Sequence, residues 1–258
     1  EKPGEGDDTR KWGPPFIEDA NGQPTSESAY YLCANRNKRS IEIDIASVEG
    51  QNLIMRLLEN ADILVENYKV GGLSSYGLAY DQIKERFPRL VYCSITGFGQ
   101  TGPYATRAGY DFLIQGMGGI MSLTGEPEGQ PIKVGVGIAD VMTGMYATVG
   151  ILAALRHRDQ TGKGQQIDVA LLDTQVAWLI NAGTSYLNSK ENPVRLGNGH
   201  PNIVPYQVFP TADDPIIIAA GNDSQFRKLC QITDIAAVAE DPKYATNVSR
   251  VINRQAVV

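Results

Sequence analysis

A carboxylate, Asp173, lies where a predicted strand becomes a predicted helix in the segment QQIDVALLDTQVAWLI. If the strand ends near Ala170, Asp173 falls in the first turn of the helix, where the helix dipole favours an anion. It precedes Val176 by three residues and Ile180 by seven, so we expect it on their apolar face. Asp173 is therefore either a helix cap or a carboxylate held ionised, poorly hydrated and available as a nucleophile.

A glycine motif, GFGQTG at 97–102, follows a predicted strand and matches the G-x-G-x-x-G pattern of dinucleotide-binding folds. Pro103 and Tyr104 stand where the helix of that fold should be under way. No acidic residue closes a strand about 20 residues later. These departures favour a tight loop at the end of a strand. A dinucleotide-dependent oxidoreductase remains an alternative that rests on this motif alone.

The two histidines and one basic run are weaker candidates. His157 lies between two arginines at the end of a predicted helix, where a cation merely suits the helix dipole. His200 lies in the glycine-containing loop GNGHPN. It either faces a ligand or is an ordinary loop residue without a functional role. The run NRNKRS at 35–40 is typical of a solvated face, with phosphate binding as the alternative.

Charge and cysteine content argue against several classes of protein. Lys and Arg number 23 and Asp and Glu number 29, a net charge of -6, whereas nucleic-acid-binding proteins usually carry a basic face. The 3 cysteines are widely spaced, which predicts no metal site and favours a cytoplasmic protein without disulfides. We recognise no signal sequence and no apolar run of roughly 18 residues, so no membrane contact is expected.

Hydrophobic periodicity predicts alternating strands and helices in the first part of the chain. Ile41, Ile43 and Ile45 alternate with polar residues as in a strand, and Ser47 is placed to cap a helix. Two further predicted strands, ADILVEN and RLVYCSIT, flank a short helix around YDQIKERF that ends before Pro88. This order predicts an α/β fold with a Rossmann-like, mainly parallel sheet, helices on both faces, and ligands at the carboxyl ends of the strands.

A long helix is predicted from Ile138 to Arg158. Its larger apolar residues recur at helical spacing and are expected to form the packing stripe, namely Val141, Met145, Val149, Leu152 and Leu155. Small residues between them should let other backbones approach closely. Further on, a new strand, PIIIAAG, and a new helix, SQFRKLCQI, follow a loop-like stretch. We therefore expect a large domain at 1–207 and the start of a smaller α+β domain at 208–258, too short to close its own core.

A series of segments resembles a known family: EKPGEGDDTR, NRNKRSIEIDI, ADILVENY, SITGFGQTGPYATRAGYD, GIADVMTGMYA and TGKGQQIDVALLD. In this order they resemble the signature blocks of the class III coenzyme A transferases, the formyl-CoA and carnitine-CoA transferase family of CaiB/BaiF type. Single blocks are loose, but the whole series is specific. Family members carry a strand, a helix and a second strand before the EKPG turn, so the resemblance implies that this chain is a fragment.

The resemblance implies a reaction. The block ending in ALLD assigns Asp173 as the catalytic aspartate, which attacks the thioester of an acyl-CoA and passes CoA to a carboxylic acid through anhydride and aspartyl-CoA intermediates. CoA is then a thioester substrate, and no metal or tightly bound cofactor is needed. The segment HPNIVPY resembles the succinyl-CoA-dependent, dicarboxylate-using branch. The family also implies an interlocked homodimer.

The resemblance assigns CoA-binding and pocket residues by position. Those expected along CoA are Lys2, Ile43 to Ala46, Asn67, Tyr68, Lys69 and Ser75, the last replacing a basic residue of formyl-CoA transferase. Tyr110 and Asp111 are expected to line the thioester pocket. The segment Gly197, Asn198, Gly199 and His200 replaces part of a glycine loop that closes over intermediates.

A second branch of the same superfamily, the 2-methylacyl-CoA racemases, is the main alternative. In those relatives the aspartate is an acid/base and pairs with a histidine at the position of Tyr110. Tyrosine has an unperturbed pKa of about 10 and is a poor base near neutral pH. Tyr110 therefore favours CoA transfer over racemisation.

Overall fold

The structure is a computed structural model that describes residues 1–258. The chain forms two compact units. Unit 1 comprises Glu1–Ala108 and Gly144–Ala170, and unit 2 comprises Gly109–Thr143 and Leu171–Val258. The unit boundary does not coincide with the domain boundary expected at residue 208. Compactness and independent folding are different properties, so that domain boundary stays a prediction.

A three-stranded parallel sheet organises unit 1. Its strands, in spatial order, are β3 (Ile63–Glu66), β4 (Val91–Thr96) and β5 (Gln166–Ala170). A separate antiparallel pair is formed by β1 (Phe16–Glu18) and β2 (Pro24–Ser28). Strand β4 has neighbours on both sides and is almost wholly buried, which explains its run of apolar residues. The expected α/β fold with a mainly parallel sheet is confirmed.

Two of the shorter helices of unit 1, those at Val48–Leu58 and Tyr80–Ile83, were predicted from local signals, and a third at Ala29–Asn35 was not. These helices are α1 (Ala29–Asn35), α2 (Val48–Leu58) and α3 (Tyr80–Ile83), with short 3-10 helices at Asp8–Lys11 and Gly72–Tyr76. Ser47 caps α2, because its side chain accepts a hydrogen bond from the Gly50 amide at 2.9 Å. The sheet packs over one apolar cluster formed by Leu58, Leu73, Leu78, Ile83, Leu90 and Tyr92.

The strand expected at 41–45 is not formed. The Ile43 amide donates to the Glu1 carbonyl at 3.0 Å, but no neighbouring strand continues the ladder. Ile41 is exposed, whereas Ile43 and Ile45 are half-buried and Ile45 packs against the apolar cluster, so the alternation marks an inward-facing side of a segment that no second strand extends. A pattern of alternation becomes a strand only where another strand satisfies its backbone groups.

Helix α5 (Ile138–Thr161) is the longest element and extends the predicted helix by three residues. The face that packs is the opposite of the one expected. Ala139, Ala147 and Ala154 are buried, whereas the larger residues Val141, Met145, Val149 and Leu152 are exposed. A methyl group at Gly150 would lie 3.3 Å from the side chain of Ile167, so the small residues do allow a close approach, there to β5.

By length and composition, α5 could also cross a membrane. Its most apolar window has a mean hydropathy of 1.6, contrary to the expectation that no apolar run is long enough. Core helices of soluble proteins pass the same test, so this is weak evidence.

Unit 2 contains mostly helices and one hairpin. Its elements are α4 (Asp111–Met117), a 3-10 helix at Ile120–Ser122, the start of α5, α6 (Leu171–Ala177), α7 (Ile180–Ser189), β6 (Tyr206–Phe209), β7 (Ile216–Ala219), α8 (Asp223–Ile232), α9 (Ala236–Glu240), α10 (Asn247–Ile252) and α11 (Arg254–Val257). Strands β6 and β7 pair antiparallel.

The segment after residue 208 contains a small buried cluster, and the expectation that it is too short to close its own core stays a prediction. Ala220, Phe226, Cys230 and Ala239 form a buried cluster. The fully buried Arg250 is satisfied by the Val204 carbonyl at 2.7 Å and by Asp223 at 2.9 Å. Because its charge is paired and hydrogen-bonded, Arg250 can be accommodated in this interior.

Candidate active site

Some of the residues predicted to contact CoA line one cleft of unit 1. The cleft has a volume of 670 Å³ and is bordered by Lys2, Ile43, Ala46 and Tyr68. Tyr68 follows the carboxyl end of β3, the edge at which parallel sheets bind ligands. The structure therefore brings together residues from three separate parts of the sequence, around positions 2, 43–46 and 68.

The turn that carries Lys2 is held by the carboxylate of Glu1. Arg10 donates to Glu1 through Nε at 2.7 Å and through Nη2 at 2.9 Å, and Tyr31 donates through its hydroxyl at 3.1 Å. These contacts, with Arg10 first and Ser40 next, hold the pKa of the Glu1 carboxyl far below its usual range. The Arg10 guanidinium also stacks on the Tyr31 ring at 3.9 Å.

Three other predicted CoA residues do not line this cleft. Asn67 donates from Nδ2 to the Ile95 carbonyl at 2.7 Å and so links the end of β3 to β4. Ser75 donates to the Gly72 carbonyl at 3.1 Å within its 3-10 helix. Lys69 borders a second cleft of 270 Å³ in the same unit.

The GFGQTG segment forms a tight loop at the end of β4. Gly99 and Gly102 have φ values of 86° and 93°, which favour glycine. The Gly99 amide donates to Thr96 Oγ1 at 2.9 Å, and the Gln100 amide donates to Asp168 Oδ2 at 2.8 Å. No helix follows until Asp111, so the loop lacks the helix N-terminus on which a dinucleotide pyrophosphate sits.

Asp173 lies in the first turn of α6, directly after β5 ends at Ala170, as predicted. Its side chain is exposed and accepts no hydrogen bond within the chain. Val176 and Ile180 are exposed as well, Ile180 to 71%. The expected apolar, poorly hydrated setting of Asp173 is therefore absent from this chain.

A second carboxylate, Asp140, was not singled out from the sequence. It lies in the first turn of α5, after the glycine-containing segment VGVG. The Asp140 side chain is exposed, but the protein atoms around it, and then the charge of Asp111, raise the pKa of its carboxyl above the ordinary value. The sequence signal that could have identified it is an acidic residue in the first turn of the longest predicted helix, directly after a segment with two glycines.

Asp111 and Asp140 border the same small space in unit 2. Asp111 Oδ1 accepts a hydrogen bond from the Ala139 amide at 2.8 Å, so it caps α5 one residue before Asp140. A methyl group built on Gly137 would lie 3.7 Å from Asp111 Oδ1 and 3.8 Å from Asp140 Oδ2. Tyr110, which precedes Asp111 at the start of α4, is exposed. Of the pair expected at the thioester pocket, Asp111 thus lies beside Asp140.

The segment 197–200 is anchored within unit 2. The Gly197 amide donates to the Gly125 carbonyl at 3.0 Å, and the Gly199 amide to the Leu196 carbonyl at 2.8 Å. His200 Nδ1 accepts from the Asn202 amide at 3.0 Å, which leaves Nε2 as the ring donor. Asn198 is exposed.

The remaining candidates lie on the surface. His157 is exposed near the end of α5, as are residues 36–40 of the basic run. Their exposure fits the solvated roles and leaves phosphate binding by the basic run as a prediction.

Comparison with known proteins gives the family. A profile of CoA-transferase family III matches residues 1–258. The chain is 56% identical over 254 residues to a succinate–glutarate CoA-transferase of Agrobacterium fabrum, covering 98% of the chain and 63% of that protein. It is 45% identical to the human succinyl-CoA:glutarate CoA-transferase, covering 100% of the chain and 57% of that protein. The chain thus spans less than two thirds of these curated relatives.

A solved structure shows the same fold. A CaiB/BaiF family protein from Brucella suis superposes with a TM-score of 0.84 at 54% sequence identity, covering 99% of the chain and 67% of that protein. The profile match and these similarities agree with the resemblance of the successive sequence segments. The chain belongs to CoA-transferase family III.

Proposed function

We propose that the protein containing this chain transfers CoA from succinyl-CoA to a dicarboxylic acid. The Agrobacterium and human relatives, which share 56% and 45% of their matched residues with the chain, carry names that join succinyl groups or succinate with glutarate. The observation that supports a covalent route is the carboxylate of Asp140, which borders the same small space as Asp111 at the start of α5.

The proposed reaction uses this carboxylate as the nucleophile. Its oxygen attacks the thioester carbonyl, the carbon–sulfur bond breaks, and CoA leaves as a thiolate while a mixed anhydride forms. The thiolate then attacks the aspartyl carbonyl, which gives an aspartyl-CoA thioester and releases the donor acid. The acceptor carboxylate attacks this thioester, and the same steps in reverse yield the new acyl-CoA and the free aspartate.

We propose Asp140 rather than Asp173 as the nucleophile. The pKa of Asp140 is raised, so its ionised form is destabilised and more reactive. The resemblance assigns Tyr110 and Asp111 to the thioester pocket. Asp111 is also the residue that caps α5, the helix that carries Asp140. Asp140 and Asp173 are both exposed and neither accepts a hydrogen bond within the chain, so the choice rests on Asp111, which borders the space beside Asp140. Asp173 stays a prediction that mutation will test.

The unit 1 cleft is proposed to hold part of CoA. Lys2 offers a cation and Tyr68 an aromatic ring, while Ile43 and Ala46 supply apolar wall. Asn67, Lys69 and Ser75 are proposed to act nearby, Asn67 by fixing the strand end. CoA enters as a thioester substrate, and we propose no metal or tightly bound cofactor.

The segment 197–200 is proposed to border the acyl group, with the ring donor of His200 available to a carboxylate. We also propose a cytoplasmic homodimer that binds neither nucleic acid nor membrane. The exposed apolar stripe of α5, formed by Val141, Met145, Val149 and Leu152, supports a second copy as its cover.

The substrates are tested by a panel of donors and acceptors with the full-length protein. Succinyl-CoA, acetyl-CoA, formyl-CoA and oxalyl-CoA are each incubated with small mono- and dicarboxylic acids, and mass spectrometry identifies the CoA products. We expect the highest kcat/KM with succinyl-CoA and a dicarboxylic acceptor of similar length. Exclusive use of formyl-CoA would contradict this proposal.

Racemisation predicts a different isotope result. We expect no deuterium uptake at C2 when (2R)- or (2S)-2-methylacyl-CoA is incubated in deuterated water without an acceptor acid. The reason is that Tyr110 has an exposed phenol, a poor base near neutral pH. Tyr110→Phe should lower transfer about tenfold or less, through weaker positioning of the acyl group. Rapid uptake that Tyr110→Phe removes would instead place the protein among the racemases.

A further inference from the structure

A fully buried glutamine, Gln115, joins α4 to the segment that leads into α5. Its Nε2 donates to Asp111 Oδ2 at 2.7 Å, and its Oε1 accepts from the Val134 amide at 2.8 Å. Both ends of the amide are therefore engaged. A buried side-chain amide is costly unless it is satisfied in this way, so the geometry of Gln115 is tightly determined.

The partners of Gln115 hold the two ends of one short segment. Gln115 itself fixes Val134 at the start, and Asp111 fixes Ala139 at the end through a hydrogen bond of 2.8 Å. The hydrogen bond from Gln115 to Asp111 connects these two attachment points. Residues 134–139 are thereby held at both ends, and the next residue in the chain is Asp140.

We propose that Gln115 is a positioning residue that sets the direction of the Asp140 carboxylate by orienting Asp111 and residues 134–139. It touches neither of the reacting atoms. This role rests on the proposed function, in which Asp140 is the nucleophile. Gln115 fixes the rotation of the Asp111 carboxylate, because one of its oxygens accepts from the glutamine amide while the other accepts from the Ala139 amide at the α5 N-terminus. The carboxylate of Asp140 then meets the thioester from a fixed side.

The first test is Gln115→Met in the full-length protein. Methionine keeps the volume, so packing is largely conserved, and it removes all three hydrogen bonds of the amide, including the long one from Nε2 to the Val136 carbonyl at 3.5 Å. We expect kcat to fall about 10²-fold while KM for the donor thioester changes less than about threefold, because orientation is lost and binding is retained. The matched control is Gln175→Met, since Gln175 is also buried in unit 2 and donates only to the Gly118 carbonyl at 3.1 Å.

A second variant separates positioning from packing. In Gln115→Glu the introduced carboxyl can still accept from Val134, but in its ionised form it repels Asp111. The charged groups around it are Asp111, Asp140 and, on the exposed side, Lys133. Protonation restores the donor, so the ratio of variant to wild-type kcat should rise at least fivefold between pH of about 8 and about 6. A ratio independent of pH would contradict the proposal.

Hydrogen exchange gives a result that does not depend on transfer activity. We expect the amides of Val134 and Ala139 to exchange at least tenfold faster in Gln115→Met than in Gln175→Met. Unchanged exchange, or a loss of kcat equal in both variants, would overturn the positioning role. If the wild-type protein transfers no CoA but exchange is still faster in Gln115→Met, the proposed function is contradicted. The structural role of Gln115 in holding residues 134–139 then still stands.

Discussion

Asp140→Ala is expected to lower kcat for CoA transfer by about 10³-fold or more, because the variant lacks the oxygen that forms the covalent intermediates. Binding of CoA should change only a few fold, since the proposed CoA residues lie in unit 1. Asp173→Ala is the matched comparison: it removes the same side chain from the first turn of another helix. We expect that variant to keep more than about a tenth of wild-type kcat.

Chemical trapping identifies the residue directly. Hydroxylamine added during turnover attacks an aspartyl anhydride or thioester and leaves a hydroxamate on that aspartate. Peptide mass spectrometry should locate the hydroxamate at Asp140 and find none in Asp140→Ala. A hydroxamate on Asp173, with full activity in Asp140→Ala, would restore the assignment that the resemblance made from the ALLD segment.

Gly137→Ala is expected to lower kcat/KM for the donor about 10²-fold without unfolding the protein. The added methyl would lie 3.6 Å from Asp111 Cγ and 3.8 Å from Asp140 Oδ2, which are ordinary contact distances. Gly137 is not among the glycines with positive φ, so alanine is tolerated by the backbone. The methyl instead fills the space beside the attacking carboxylate, where a displacement of about 1 Å can cost 10²-fold.

The control for this variant lies in the same segment. Gly135→Ala adds the same methyl where nothing lies within 4 Å, and Gly135 also lacks a positive φ. Initial rates with succinyl-CoA and the melting temperatures of both variants give the comparison. Equal kcat/KM in Gly137→Ala and the wild type would show that the thioester does not approach through the space between Asp111 and Asp140.

Most elements that frame the site were predictable from local sequence. The apolar runs of β3 and β4, the strand that ends at Ala170, the Ser47 cap and the helix beginning at Ile138 all formed where expected. Helical spacing, caps and strand composition act over a few residues, so they can be recognised without knowing the neighbours. The order of the family segments also gave the family. The strand expected at 41–45 failed because a strand needs a partner ladder that local alternation does not provide.

The sequence by itself determined the family and the α/β order of elements. Only the tertiary structure decided which of the two carboxylates, Asp140 or Asp173, lies beside another acidic side chain. Asp173 and Asp140 both open helices after suggestive motifs, and helical spacing alone does not distinguish them. The difference arises from Asp111, which caps α5 from 28 residues away, and from Gln115, which bridges to Val134. The same holds for α5, whose small-residue face packs because β5 approaches at Gly150. Burial and hydrogen bonding between distant residues depend on three-dimensional neighbours, and no local pattern encodes them.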